Sequence, residues 1–349
     1  MTTHRLIIVT AGLLLALPEA PCEAAPKEAP ATLRRHASLK GKEELQPNSL
    51  VFSPDGKILT SLEGRTGTIR LWDVAAGKSA GILNHRRYAC SVAFSPDGKR
   101  IATCGDYKIN LWDAVSHKKL TMIHAGWPIY SVRFTADGKK LMAVEKDWLV
   151  LWNVEKKEEV SSHRLTVQPD FLSACPAKKK PAFVVLQADR RSFALVDALS
   201  GETVWSGKGH EQPIVGFALA RDEKTIASAD ELAVRVWDRE SGANVATIEH
   251  LPDAIFTPLL RPNGRNSACA LSPDGKILAC AYEYQVPNGR RGGGFRLYAI
   301  PSGKLLAEVP NKIDITSLVF SPNGRLLATE FRTGIELWII PASEKKKDK

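Results

Sequence analysis

The sequence predicts an all-β protein: a seven-bladed β-propeller of four-stranded antiparallel blades, closed by an N-terminal outer strand. Three observations predict it. A Ser-Pro-Asp-Gly turn returns at Ser53–Gly56, Ser95–Gly98 and Ser272–Gly275. Looser copies stand at Thr135–Gly138 and Ser321–Gly324, and a degenerate one at Ala220–Glu223. A second marker follows each turn: Trp72-Asp73, Trp112-Asp113, Trp152-Asn153, Trp237-Asp238, Tyr298-Ala299 and Trp338-Ile339. The apolar runs between markers are strand-length, and one four-stranded sheet of that size cannot bury both its faces alone. Seven arranged radially bury each face on a neighbour.

The 349 residues are 44% hydrophobic and 25% charged, which excludes a disordered, collagenous or polytopic membrane protein. The chain opens with Arg5, an apolar stretch from Leu6 to Pro18, and small residues through Ala25. The apolar stretch is shorter than the roughly 20 residues of a spanning helix. Residues 1–24 therefore read as a secretory signal peptide cut near Ala24, with a signal anchor or lipidation of Cys22 as the alternatives. Residues 25–32 are a Pro/Ala linker, 33–341 the propeller and 342–349 a basic tail.

The repeats then follow in order. Leu33–Leu39 is an outer strand D with no A, B or C before it. Trp72, Trp112 and Trp152 are each 40 residues apart, but Trp237 lies 85 beyond Trp152. That gap conceals a fourth repeat, with strands at Ala182–Gln187 and Ser192–Asp197 and Val196-Asp197 where Trp-Asp would stand. The second repeat shows the plan: strand A Ser91–Phe94, the turn, strand B Arg100–Cys104, strand C Lys108–Trp112 and strand D Leu120–Ile123. In the turn, Pro presets φ, Asp tolerates the third position, and Gly takes the left-handed conformation. The seventh repeat stops after strand C, Ile335–Ile340, so the orphan Leu33–Leu39 is expected to pair beside it and close the ring.

This combination of period, turn and Trp-Asp resembles the WD40 repeat family over about residues 33–340. The resemblance implies a non-catalytic protein-interaction platform. It also implies a structural role for the histidines that end each strand D: His85, His124, His163, His210 and His250. In such repeats His bonds an Asp of the B–C turn and a Ser or Thr of strand B. The candidates here are His85, Thr103, Asp106 and Trp112, and again His210, Ser228, Asp230 and Trp237.

Five cysteines remain after export, and Cys269 and Cys280 flank one hairpin, where they could stand opposite each other. The chain has no CxxC, HExxH, GxSxG, Walker loop or helix-opening GxGxxG. Neither a metal nor a cofactor is expected, and no catalytic residue is assigned. The alternative is a propeller that binds or hydrolyses a small molecule or glycan at the D–A/B–C loop face; it would need loop carboxylates converging over the channel, for which Asp106, Asp147, Asp230 and Glu330 are the candidates.

Two faces remain for binding. Lys57, Lys99, Lys139, Lys178, Lys224, Lys276 and Arg325 in the A–B turns, with further lysines in the C–D turns, ring one face with positive charge. The opposite face carries the D–A and B–C loops. There repeat six has two long insertions, His250–Asn266 and Gln285–Gly294. They hold Arg261, Arg265, Tyr284, Arg290 and Arg291, the predicted partner-binding residues. Arg with aromatics suits an acidic protein, with a glycan or an anionic envelope surface as alternatives. Export, to a periplasmic or extracellular location, would separate the chain from nucleic acid.

Overall fold

The computed structural model describes residues 33–40, 45, 50–63, 67–86, 88–165, 172–175, 180–249, 269–285, 291–310, 315–331 and 333–341. The predicted signal peptide, linker and tail lie outside these residues. The described strands form seven four-stranded antiparallel sheets. Six of them run A-B-C-D in chain order. Blade two is typical, with Ser91–Phe94, Arg100–Gly105, Lys108–Asp113 and Lys119–His124. The concealed fourth repeat is a full blade, of Leu172–Cys175, Ala182–Leu186, Phe193–Asp197 and Thr203–Gly207.

The seventh sheet closes the ring as expected. Its strands Ser317–Phe320, Leu326–Phe331 and Gly334–Ile339 come from the end of the chain, and its outer strand is Arg34–Leu39. Leu39 stands opposite Ile335 and Arg35 opposite Trp338. This pairing covers an edge that would otherwise expose a row of open backbone groups.

The cores lie between blades. Seven apolar clusters occur among the described residues, one at each junction of neighbours. The strand alternation makes this possible: Val92 packs toward blade one, while the next residue, Ala93, packs toward blade three. The junction of blades seven and one contains Leu39, so the N-terminal strand contributes to the same core as the last strands.

The turn tetrad owes its recurrence to a small hydrogen-bond circuit. Ser53 Oγ donates to Asp55 Oδ1 at 2.6 Å, and the same Asp oxygen accepts the Lys57 amide at 3.0 Å. Ser53 Oγ also accepts the Ile58 amide at 2.9 Å. Gly56 sits at φ 73°, where a Cβ would be strained. The circuit repeats at Ser95, Thr135 and Ser272, and at Ser321 with Asn323 in the Asp place.

Candidate functional site

Two of the five recurring histidines take the expected structural place. In blade five the network is complete. His210 Nδ1 is 2.8 Å from Asp230 Oδ2, and His210 Nε2 is 2.7 Å from Ser228 Oγ. The Trp237 indole donates to the same Ser228 oxygen at 2.8 Å. Burial would raise the Asp230 carboxyl, but bonds from His210 and from the Ala233 and Leu232 amides outweigh it and bring it down to about 2.

In blade two His85 Nδ1 lies 2.8 Å from Thr103 Oγ1 and 3.0 Å from Asn110 Nδ2. Asp106 has no bond to it among the described contacts. It holds a left-handed φ of 49° at the head of a two-residue B–C turn instead. With burial dominant and Lys108 nearby, the His85 imidazole is pushed down to about 4. His124 is exposed, and His163 bonds the Leu199 carbonyl of the next blade at 3.0 Å. His250 lies outside the described residues.

Blade three solves the problem differently. Its strand B has Ala143 where Thr103 and Ser228 stand in their blades, so the Trp152 indole reaches Glu145 Oε1 at 2.7 Å. Burial pushes this carboxyl up to about 7, against the opposing bond from Trp152.

The four carboxylates that a catalytic reading needs are not equivalent. Asp230 and Glu330 are buried; the first belongs to the His210 network, and the second has Thr316 Oγ1 at 3.3 Å. Asp106 and Asp147 lie in the B–C turns of blades two and three, where their carbonyls accept the Ile129 and Leu165 amides. No group of three or more His, Cys, Asp or Glu among the described residues could hold a metal ion.

Arg261, Arg265 and Arg290 lie outside the described residues. Tyr284 and Arg291 are described only as strand residues, and here the expected loop is corrected. Strand B of blade six runs Ile277–Gln285 and strand C runs Arg291–Ala299, so Gln285 pairs with Arg291 and Tyr284 with Gly292. Gly292–Gly294 therefore extends a hairpin rather than forming part of a long loop. The reason is close packing: a Cβ on Gly294 would stand 2.1 Å from the Val309 carbonyl oxygen.

The same face carries a feature that sequence reading missed. Tyr88, Tyr107, Trp127 and Tyr130 are 58%, 56%, 45% and 42% exposed, on neighbouring connections of blades two and three. The backbone joins their loops. The Ala125 amide donates to the Tyr107 carbonyl at 2.8 Å, and Ile129 to Asp106 at 2.9 Å. Tyr88 packs its carbonyl where a Cβ on Gly105 would otherwise stand. Lys146 Nζ lies 4.5 Å from the centre of the Trp127 ring, a cation–π contact. Tyr130 is the extra residue at an irregularity in the pairing of strand A, which turns its side chain outward. Aromatics in three separate connections carry no common spacing, so only the ring brings them together.

On the opposite face the predicted lysines are exposed, except Lys178, which lies outside the described residues. Each described A–B turn up to blade six also presents an Asp: Asp55, Asp97, Asp137, Asp222 and Asp274. The Ser53 hydroxyl bond holds Asp55 below the usual carboxylate range, and Ser95 does the same for Asp97. Basic and acidic groups thus alternate around that rim.

A family profile described as "WD domain, G-beta repeat" matches residues 33–73 and 77–113. Each match starts at an outer strand and ends at the next Trp-Asp, so the profile's unit runs across two blades. Telomerase protein component 1 of Rattus norvegicus is 27% identical over 237 residues, covering 66% of this chain and 7% of that protein. The chain thus spans a small fraction of that relative's length.

Proposed function

Because this chain is a seven-bladed propeller carrying WD40 repeats, we propose that it is an exported, non-catalytic platform that holds a protein partner on its D–A/B–C face. The observation that carries this reading is the exposed aromatic group over blades two and three. Tyr and Trp give large contact area at small entropic cost, and they dominate interface energetics when partner pockets desolvate them. The Lys146 cation on Trp127 adds positive charge beside them. Arg261, Arg265, Arg290 and Arg291, with Tyr284, supply a second contact set from blade six, so an acidic surface is the partner of choice.

The alternating charge on the opposite rim supports reading its lysines as solvating groups rather than as an envelope anchor. A second reading, a glycan held on the same face, is favoured by the same aromatic rings, which can stack on sugars. Affinity capture from the extracytoplasmic fraction separates these. Changing Tyr107 and Trp127 to Ala should reduce capture of a protein at least tenfold, about 1.4 kcal/mol or more, with an unchanged melting curve. Changing the four arginines to Ala should do the same. Undiminished capture in both variants, with loss on Lys-to-Glu changes at the opposite rim, would move the site to that rim. Enrichment of oligosaccharide without protein would replace the protein partner by the glycan.

A further inference from the structure

Blade six departs from the others in one correlated way. In blades one, two, five and seven the Trp indole is held by a hydroxyl of strand B: Ser61, Thr103, Ser228 and Thr329. Each hydroxyl stands eight residues beyond the start of its turn motif. In blade six that position is Cys280, eight beyond Ser272, and the Trp position is Tyr298. Blades three and four also lack that bond, but in blade six the hydroxyl's place is taken by a thiol. Opposite that thiol, on strand A, stands a second one, Cys269.

The register places the pair closely. The Ser272 amide bonds the Ile277 carbonyl at 2.8 Å, so 272 and 277 are a hydrogen-bonded pair. Pair type alternates along an antiparallel ladder, so Leu271 with Leu278 is non-bonded, Ala270 with Ala279 bonded, and Cys269 with Cys280 non-bonded. Non-bonded pairs have the smaller separation, about 4.5 Å between Cα atoms, which lies at the short end of the disulfide range. The side chains also share a face. Cys269, Leu271, Leu278 and Cys280 all pack into the core between blades five and six, whereas Ala270 and Ala279 pack into the next core.

We propose that Cys269 and Cys280 form a disulfide that staples strands A and B of blade six; the dithiol seen here is its reduced form. The reaction is thiol–disulfide exchange. One thiolate attacks a disulfide of an oxidised dithiol protein or of oxidised glutathione, and a sulfur of that reagent leaves as thiolate. The second cysteine then attacks the mixed disulfide, so two thiols lose two electrons and two protons, and the reagent is reduced to two thiols. Both cysteines are fully buried in the dithiol form, and burial pushes the Cys269 thiol up to about 12 and Cys280 well above its ordinary value. Exchange therefore belongs to the folding chain, before blade six packs against blade five. The inference does not depend on the partner-binding reading or on export.

The test is refolding of the full chain from denaturant in a buffer of reduced and oxidised glutathione. After acid quench, denaturation without reductant, and alkylation, the protein should show two unmodified cysteines. Proteolysis should yield one peptide pair joined through Cys269 and Cys280, released by reductant. A Cys269→Ala variant should give no such pair and should instead leave Cys280 fully alkylated. Complete alkylation of Cys269 and Cys280 in the refolded protein overturns the proposal. So does finding either joined to Cys90, Cys104 or Cys175, or to glutathione alone.

Discussion

Asp230 and Asp106 show how the same residue type at the same turn acquires opposite roles. Asp230 is 2% exposed, accepts from His210 and holds the Leu232 and Ala233 amides at 2.8 and 2.7 Å. Replacing it with Ala removes a charged acceptor from these three buried or half-buried groups and should cost about 3 kcal/mol in urea unfolding. Asp106→Asn should cost less than about 0.5 kcal/mol, because Asn also tolerates the left-handed φ and the Asp106 carboxylate makes no hydrogen bond among the described residues. Equal losses in the two variants would mean that His85 depends on Asp106 after all. Glu145 gives a pH dependence. Its folded pKa of about 7 exceeds the ordinary 4.5, so the unfolded chain releases this proton first as pH rises. Stability is present in full below about 4.5 and falls as pH rises to about 7, by roughly 3 kcal/mol. His85 runs the other way: its folded value of about 4 lies below 6.5, so its contribution is lost as pH falls through that window. The two partly cancel between about 4.5 and 6.5. Glu145→Gln removes one of them. It should therefore stabilise the protein by about 2–3 kcal/mol at pH 8 and by much less at pH 4, read from urea midpoints at both values.

At the scale of elements, the strand-length apolar runs and the turn chemistry were legible because each is dictated within a few residues. Ser91–Phe94 runs as expected, and the tetrad circuit explains why the turns are so regular. Blade four was legible through spacing alone, since Val196-Asp197 keeps the position of the marker without its indole. Glycine misled the reading in blade six. Three consecutive glycines ordinarily punctuate a loop, but here they lie in a nine-residue strand, and the last of them, Gly294, makes room for the Val309 backbone. The histidine network was half legible: residue types at the right spacing were present in blade two, but whether Asp106 turns toward His85 depends on its backbone conformation. The outer strand of the last blade is the element whose loss should matter most. Leu33 and Leu39 are 6% and 1% exposed, in the two cores that flank blade seven. Burying two such side chains contributes about 4 kcal/mol, before the edge of Gly334–Ile339 is counted. Removing residues 1–42 should lower the melting temperature by about 10 °C or more. An unchanged melting curve would mean that the ring stays closed without this strand.

At the scale of the whole molecule, the period in the sequence specifies seven equivalent junctions, and seven junction cores are present among the described residues. What a period cannot specify is which unequal loops become neighbours. Tyr88, Tyr107, Trp127 and Tyr130 belong to two D–A connections, one B–C turn and a strand start, and these segments become neighbours only after blades two and three are side by side. Leu33, the first described residue, packs in the core between blades six and seven. Among the described residues no helix is long and apolar enough to cross a membrane. On the proposed export, residues 1–24 would be a signal peptide cut near Ala24, and residues 25–32 a Pro/Ala linker ahead of Leu33. Cleavage there removes one basic and two acidic side chains, Arg5 against Glu19 and Glu23, and raises the net charge from +10 to +11. Protein recovered outside the cytoplasm should therefore have an intact mass that begins close to residue 25, and the melting curve of a chain starting there should match that of the full-length chain. Soluble cytoplasmic protein that keeps Met1 would remove the export claim and leave the ring, its junctions and its aromatic face as they are.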